Sequence, residues 1–197
     1  PASLAGLEPA PRQDAIRTQQ FLLNTLAFKG DPALTHYALE AVQSDASEVR
    51  LAGLYALLRM EDPAAVPALT AGLASDVHEE RLLAIGGLAR LVTPEALDAV
   101  STLVGGDDTL DHRNAVLALA DNGDGRAMPW LAAMLDRSSY ASDPALDHAD
   151  YAHSDEATRL AARANAVDHF LQNAARASAK LGDPSLIPPL ERLREDD

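Results

Sequence analysis

The sequence predicts an all-α fold, a right-handed solenoid of about five helix pairs, and its first support is a helix-start signal that recurs along the chain. Asp31, Asp62 and Thr93 each precede a Pro and stand 31 residues apart, Asp124 continues the series without a Pro, and Asp183-Pro184 follows 59 residues later. The side-chain oxygen of such a residue accepts a hydrogen bond from a first-turn N–H, and Pro at the first helical position loses no bond. A helix start at a fixed period is typical of a repeat protein.

Apolar side chains also keep their phase over four periods. One column contains Leu23, Leu54, Ile85 and Val116, and the next contains Leu26, Leu57, Leu88 and Leu119. Apolar residues make up 47% of the chain but aromatic residues only 4%, so the core has to be built from Ala, Leu and Val. Small, strongly helix-forming residues favour close packing of helix on helix and argue against a β-rich fold.

The elements follow in order from these signals. Residues 1–12 contain three prolines and no helical periodicity, so we expect an extended lead-in, followed by a single repeat domain over residues 13–197. Its helix pairs are expected at about residues 13–43, 47–75, 78–106, 109–136 and 156–195. Gly86-Gly87 lies inside a helix and predicts close helix packing. The last helix is amphipathic and suits a terminal cap, with its apolar residues facing inwards: Leu186, Ile187, Leu190 and Leu193.

An insertion at about residues 137–168 interrupts the repeat. The spacing of 59 residues there exceeds one period by 28, and a helical pattern begins early, at about Glu156. The sequence therefore predicts a polar segment over residues 137–155, followed by a helix that the insertion lengthens by more than three turns. Long insertions in solenoids usually lie at a binding face or cap an end.

The residues between the helix pairs carry a family resemblance. Asp45 and Asp76 each precede an Arg by five residues, at Arg50 and Arg81, and two short helices follow per unit. This pattern resembles the short HEAT-like repeats of the phycobilisome-lyase type over about residues 13–136 and 169–195. Tetratricopeptide and ankyrin repeats have other lengths and signatures. The resemblance implies Asp–Arg pairs that join adjacent units, and second helices that line a concave face.

That concave row contains the candidate partner-binding residues. Trp130 and Tyr37 lie three periods apart in one column, and the outward phase of the second helices adds His36, Glu40 and Asp98. An exposed Trp there would be a natural hot spot for a partner. The alternative is that Trp130 packs beneath the insertion that follows it.

The insertion adds a second group of candidates. Asp147, His148, Asp150 and His153 lie close together in sequence, with Asp143, Asp155 and Glu156 around them. Carboxylates and imidazoles together can bind a divalent ion. The spacing matches no defined metal site, however, so a solvated acidic loop is the favoured interpretation, and we expect neither a metal nor a cofactor.

HEAT-like repeats also occur in enzymes, but this chain lacks the residues that those enzymes use. Deoxyhypusine hydroxylase binds iron through several His-Glu pairs, whereas this chain has one pair, at His78-Glu79, and the equivalent positions are Ser47-Glu48 and Thr109-Leu110. A HEAT-like DNA glycosylase needs a basic concave face. A lyase-like protein that holds a small molecule or chromophore near Trp130 and the acidic insertion is the alternative to a binding protein. We expect no catalytic residues.

The net charge and composition limit the class of partner that the protein can bind. The formal net charge of −14 repels phosphate backbones, the chain has no Cys, and no apolar run approaches the roughly 18 residues of a membrane span. The sequence therefore favours a non-catalytic protein-binding scaffold or assembly factor whose partner offers a basic or apolar segment. We expect a cytoplasmic protein, although Pro1 in place of Met leaves room for a removed targeting segment.

Overall fold

The computed structural model describes residues 9–147 and 151–195, and every regular element in these ranges is a helix. The α-helices are α1 (Pro9–Lys29), α2 (Thr35–Ala41), α3 (Ser47–Met60), α4 (Val66–Gly72), α5 (His78–Leu91), α6 (Pro94–Ser101), α7 (Thr109–Asp121), α8 (Met128–Met134), α9 (Glu156–Leu181) and α10 (Ile187–Glu195). Successive helices form five pairs, which confirms the predicted all-α fold of repeated helix pairs.

The predicted helix starts are confirmed, with a short 3-10 turn ahead of most second helices. The turns Pro32–Leu34 and Pro63–Ala65 precede α2 and α4. The carboxylates of Asp31 and Asp62 accept the N–H groups of Ala33 and Ala64 at 3.0 Å, as predicted for capping residues. The hydroxyl oxygen of Thr93 caps α6 without such a turn.

The extended lead-in is corrected in part, because α1 begins at Pro9. Pro9 and Pro11 occupy the first turn of the helix, where a missing backbone N–H removes no intrahelical bond. The prolines therefore mark a helix start rather than an extended segment. Residues 1–8 lie outside the described residues.

The chain divides into two compact units, Pro1–Val100 and Ser101–Asp197, with the division near the end of α6. In unit 1, α3 packs between α1 and α5, while α2 packs on α3 and α4 on α5. The predicted apolar columns form its core, since Leu54, Leu57, Ile85 and Leu88 are all buried. The single domain over residues 13–197 stays a prediction.

Glycines let the helices of unit 1 approach closely. A Cβ atom at Gly87 would lie 2.9 Å from a methyl carbon of Leu69, and one at Gly53 would lie 3.0 Å from Ala41 and Val42. A Cβ atom at Gly86 would lie 3.1 Å from a methyl carbon of Leu58, so the close packing predicted at Gly86-Gly87 is observed at both glycines.

In unit 2, α7 and α8 both pack against α9. Helix α9 has 26 residues and begins at Glu156, which confirms the predicted lengthening. Ile187 does not face inwards as expected, and 52% of its surface is exposed. Leu186, at the end of the preceding 3-10 turn, takes the buried place, and the next residue of a helix points about 100° away.

Arg50 and Asp45 join adjacent repeats, but with partners other than those expected. Arg50 pairs with Glu80 at 2.9 Å, one repeat further along, while Asp45 pairs with Arg12 of the preceding repeat at 3.0 Å. The guanidinium of Arg50 donates to the carbonyl of Ser44 at 3.1 Å and to the carboxylate of Glu80 on α5 at 3.0 Å. An ion pair between adjacent repeats is therefore observed, as expected, but the predicted pairing of Arg50 with Asp45 was wrong.

Candidate functional site

An apolar groove in unit 1 contains one of the predicted site residues. It has a volume of about 290 Å³ and lies where α1, α2 and α3 meet. Tyr37 keeps 49% of its surface exposed and lines this groove. Apolar side chains of α1 and α3 form most of the remaining wall: Leu22, Leu23, Leu26 and Val49. The arrangement can hold one or two apolar side chains of a partner.

Helix α1 continues the apolar surface beyond the groove. Its inner face is buried through Ile16, Leu23 and Ala27. Its outer face bears Phe21, 71% exposed, and Phe28, 87% exposed. Scattered apolar side chains are normal on protein surfaces, but two phenylalanines on one helix beside an apolar groove form a continuous patch, which marks interaction sites. Neither phenylalanine was among the residues predicted for a binding site, so the sequence analysis missed this surface.

The other predicted residues of unit 1 lie around or away from the groove. The ring of His36 stacks at a tilt on Tyr37, with 3.9 Å between the ring centroids. Glu40 is exposed on α2, and Asp98 is exposed on α6. Of this group only Tyr37 lines the groove, while His36 contacts it through the tyrosine ring.

Trp130 lies in unit 2, where it packs against residues that precede it in the chain. Its ring meets His112 edge to face, with centroids 4.8 Å apart, and lies against Gly105. The Gly105 N–H donates to Nδ1 of His112 at 2.9 Å, so the neutral ring carries its proton on Nε2. Burial, together with the charge of Arg113, lowers the pKa of His112 below its ordinary value. Trp130 keeps 38% of its surface exposed, and its place in one row with Tyr37 stays a prediction.

A buried ion pair fixes the first part of the insertion. Arg113 on α7 pairs with Asp143, and both side chains are less than one-tenth exposed. The guanidinium of Arg113 lies 4.5 Å from the centre of the Tyr140 ring and 5.4 Å from that of Phe170. Asp143 also accepts the hydroxyl of Thr109 at 3.1 Å. The aromatic faces and the carboxylate together balance a guanidinium removed from water.

Arg163 on α9 binds the same segment from the other side. It donates to the carbonyl oxygens of Tyr140 and Asp143 at 2.7 and 2.9 Å, and to the carboxylate of Asp147 at 2.6 Å. The insertion is thereby attached to the long helix that follows it. The 31-residue series of Arg50 and Arg81 would continue at residue 112, and Arg113 lies one residue beyond that position. The series in the sequence therefore points to Arg113.

These contacts change the interpretation of the acidic candidates. Asp143 and Asp147 are engaged by arginines, and Asp155 caps α9 by accepting the Thr158 N–H at 2.8 Å. His153 is exposed. His148 and Asp150 lie outside the described residues. Burial, the Ala145 N–H, Arg113 and Thr109 act on Asp143 together; burial alone would raise its pKa, but the hydrogen bonds and the charge hold it below its ordinary value.

Comparison with known families agrees with the repeat architecture. Residues 49–75, which span most of α3 and all of α4, match the family described as the PBS lyase HEAT-like repeat. None of the curated proteins matches the chain. Across the described residues, no helix combines the length and apolar character that a membrane crossing demands. The chain therefore has an all-α fold of repeated helix pairs, and its α3–α4 pair is similar to a PBS lyase HEAT-like repeat.

Proposed function

We propose that the protein is a non-catalytic protein-binding scaffold that takes an apolar peptide or helix of its partner at the groove of α1, α2 and α3. The observation that carries this proposal is the half-exposed Tyr37 beside Leu22 and Leu26 in an apolar groove. Tyr is enriched among the residues that dominate binding energy, because its ring is large and loses little conformational entropy.

The size and surroundings of the groove suit a side chain of a partner better than a whole ligand. A volume of about 290 Å³ is at the lower limit for small-molecule sites, which bury most of the surface of their ligand. Glu40 and Glu48 are exposed on α2 and α3, and favour a partner with basic residues beside its apolar ones.

The lyase-like alternative has less support. Its ligand would lie between Trp130 and the acidic insertion. A second groove, of about 440 Å³, is lined by Asp147 and Tyr151 together with Arg159 and Arg163 of α9. Trp130 does not contribute to that groove and packs on Gly105 and His112 instead.

A displayed library of random peptides, panned against the immobilised protein, tests the proposal. We expect enriched peptides with apolar side chains at helical spacing, and a loss of affinity of at least about tenfold in Tyr37→Ala. Tyr55→Ala is the matched control, because Tyr55 is 43% exposed on α3 of the same unit and does not line the groove.

Both variants should keep the far-UV circular dichroism of the native protein, since neither tyrosine is buried. Peptides that bind Tyr37→Ala as tightly as the native protein would overturn the proposed site. A library from which no peptide is enriched would overturn the proposed function.

A further inference from the structure

The open face of α1 corresponds, one repeat earlier, to a face that is buried on α3. Phe21 and Thr18 stand 31 residues before Ala52 and Val49. Ala52 and Val49 are buried, and they form one apolar cluster with Ile16 and Leu23 of α1. The repeat geometry therefore presents, at the outer face of α1, the surface on which a further helix would pack.

We propose that a second copy of this chain occupies that surface, so that two α1 helices pack antiparallel around a two-fold axis. This inference rests on the proposed function, since it names the partner of the same surface. Asp14 and Lys29, at the two ends of the open face, favour a second copy, because they are complementary to the same two residues of a helix run in the opposite direction. Of the other charged residues of α1, Arg12 pairs with Asp45, and Arg17 is exposed beside this face.

The antiparallel register follows from the residues of the open face. Asp14, Thr18, Phe21, Thr25 and Lys29 recur at intervals of three and four, and so share one side of α1. With the axis between Phe21 and Leu22, Phe21 lies against Leu22 of the second copy, and Thr18 lies against its Thr25.

The same register brings the two charged ends of the face together. Asp14 of each copy lies opposite Lys29 of the other. A two-fold interface repeats every contact, so the dimer contains this ion pair twice. A parallel arrangement would place like charges side by side.

The exposed apolar area supplies the driving force. Phe21, Leu22 and Phe28 are 71%, 55% and 87% exposed in the single chain, and the second copy would remove them from water. One helix face is small for a stable interface, so we expect a dimer that dissociates on dilution.

Sedimentation equilibrium on the full chain, from micromolar to millimolar concentration, measures the dimer directly. Asp14→Lys alone and Lys29→Asp alone should each weaken dimerisation about tenfold, because each places like charges opposite one another twice. The double variant exchanges the two charges and should restore the native dissociation constant within about threefold.

Glu79→Lys is the matched control for net charge. Glu79 is exposed on α5, and its substitution should leave the dissociation constant unchanged. Because the chain contains no Cys, Phe21→Cys offers a second measurement. Under oxidation this variant should form a disulfide-linked dimer across the axis, whereas Tyr55→Cys should form no disulfide-linked dimer.

A chain that is monomeric at every concentration, or a double variant as weak as the single ones, would overturn the second copy as partner. The proposed function would survive that result if selected peptides still depended on Tyr37. A dimer without any enriched peptide would instead limit binding at this surface to self-association.

Discussion

At the scale of single residues, much of the acidity of this chain serves local structure. Asp31, Asp62, Asp124 and Asp183 each accept a backbone N–H two residues further on. The side chain of Arg126 lowers the pKa of Asp124 below its ordinary value, although burial opposes this, and the hydroxyl of Ser185 lowers that of Asp183. These capping carboxylates stay ionised at neutral pH, so they stabilise helix starts and still contribute to the formal net charge of −14.

The buried pair of Arg113 and Asp143 is the residue-scale feature with the largest expected effect. Asp143→Ala should destabilise the protein by about 3–5 kcal/mol, because it leaves a buried guanidinium without its carboxylate. Asp168→Ala is the control: Asp168 forms a half-exposed pair with Arg137, and its loss should cost less than about 1 kcal/mol. Urea denaturation followed by Trp130 fluorescence reports on both. Equal effects of the two substitutions would contradict the prediction.

The lowered pKa of Asp143 determines how the contribution of this residue to stability changes with pH. A carboxyl whose pKa is lower in the folded state stabilises the fold above its unfolded value, near 3.9, and this stabilisation is lost as the pH falls through the folded value. Asp143→Asn should therefore reduce the loss of stability of the protein in acid.

His112 gives Trp130 a sensitivity to pH. Because the pKa of His112 is lowered in the folded state, its contribution to the stability of the fold is complete above about pH 6.5. This contribution is lost as the pH falls through the folded pKa. Protonation places a hydrogen on Nδ1 and removes the acceptor of the Gly105 N–H. We expect the emission of Trp130 to be quenched with a midpoint below 6.5, since a protonated imidazole quenches indole more strongly.

His112→Gln is the control for this titration. The variant should show no transition in Trp130 emission between pH 8 and pH 5, a range in which unperturbed Asp and Glu stay charged. A transition of the same midpoint in the variant would assign the titration to another group.

At the scale of elements, the residues that follow the first helix of each pair recur at the same 31-residue interval as the residues that cap the second helix. Gly30, Glu61, Val92 and Gly123 stand 31 residues apart, and all have positive φ, between 52° and 72°. Glycine adopts this left-handed conformation freely, whereas a β-branched residue does so at a cost. Val92 is therefore the least suited member of the series.

Val92→Gly should stabilise the protein by about 1 kcal/mol, because it relieves this backbone cost and removes a side chain that is 54% exposed. The reciprocal change, Gly182→Val, places a β-branched residue at φ 64° and should destabilise by a similar amount. Thermal unfolding followed by far-UV circular dichroism measures both. A Val92→Gly variant less stable than the native protein would show that the side chain makes a compensating contact.

At the scale of the whole molecule, the net charge argues against nucleic acid as a partner. With a formal net charge of −14, the chain should not shift double-stranded DNA or RNA in a gel assay even at about 50 mM salt, where electrostatic binding is strongest. A basic protein of similar size serves as the positive control. Binding that weakens as salt is raised would contradict the prediction and would require a local basic surface.

The sequence by itself determined the helix pairs, because their signals are local. The Asp-Pro starts at Asp31 and Asp62 act within one turn, and the columns through Leu54 and Ile85 follow from the helical period. The early start of α9 at Glu156 was also readable as an apolar pattern. Tyr37 was predicted as a site residue only from its position on the outward side of a second helix.

Only the tertiary structure decided which long side chains meet and which apolar side chains stay uncovered. Arg50 reaches Glu80 rather than Asp45, and Arg113 reaches Asp143 across an insertion that interrupts the period. The outer face of α1, with Phe21 and Phe28, resembles any other apolar stripe in sequence. Exposure depends on which helices are adjacent in space, and hydrophobic periodicity shows that a face is apolar without showing what covers it.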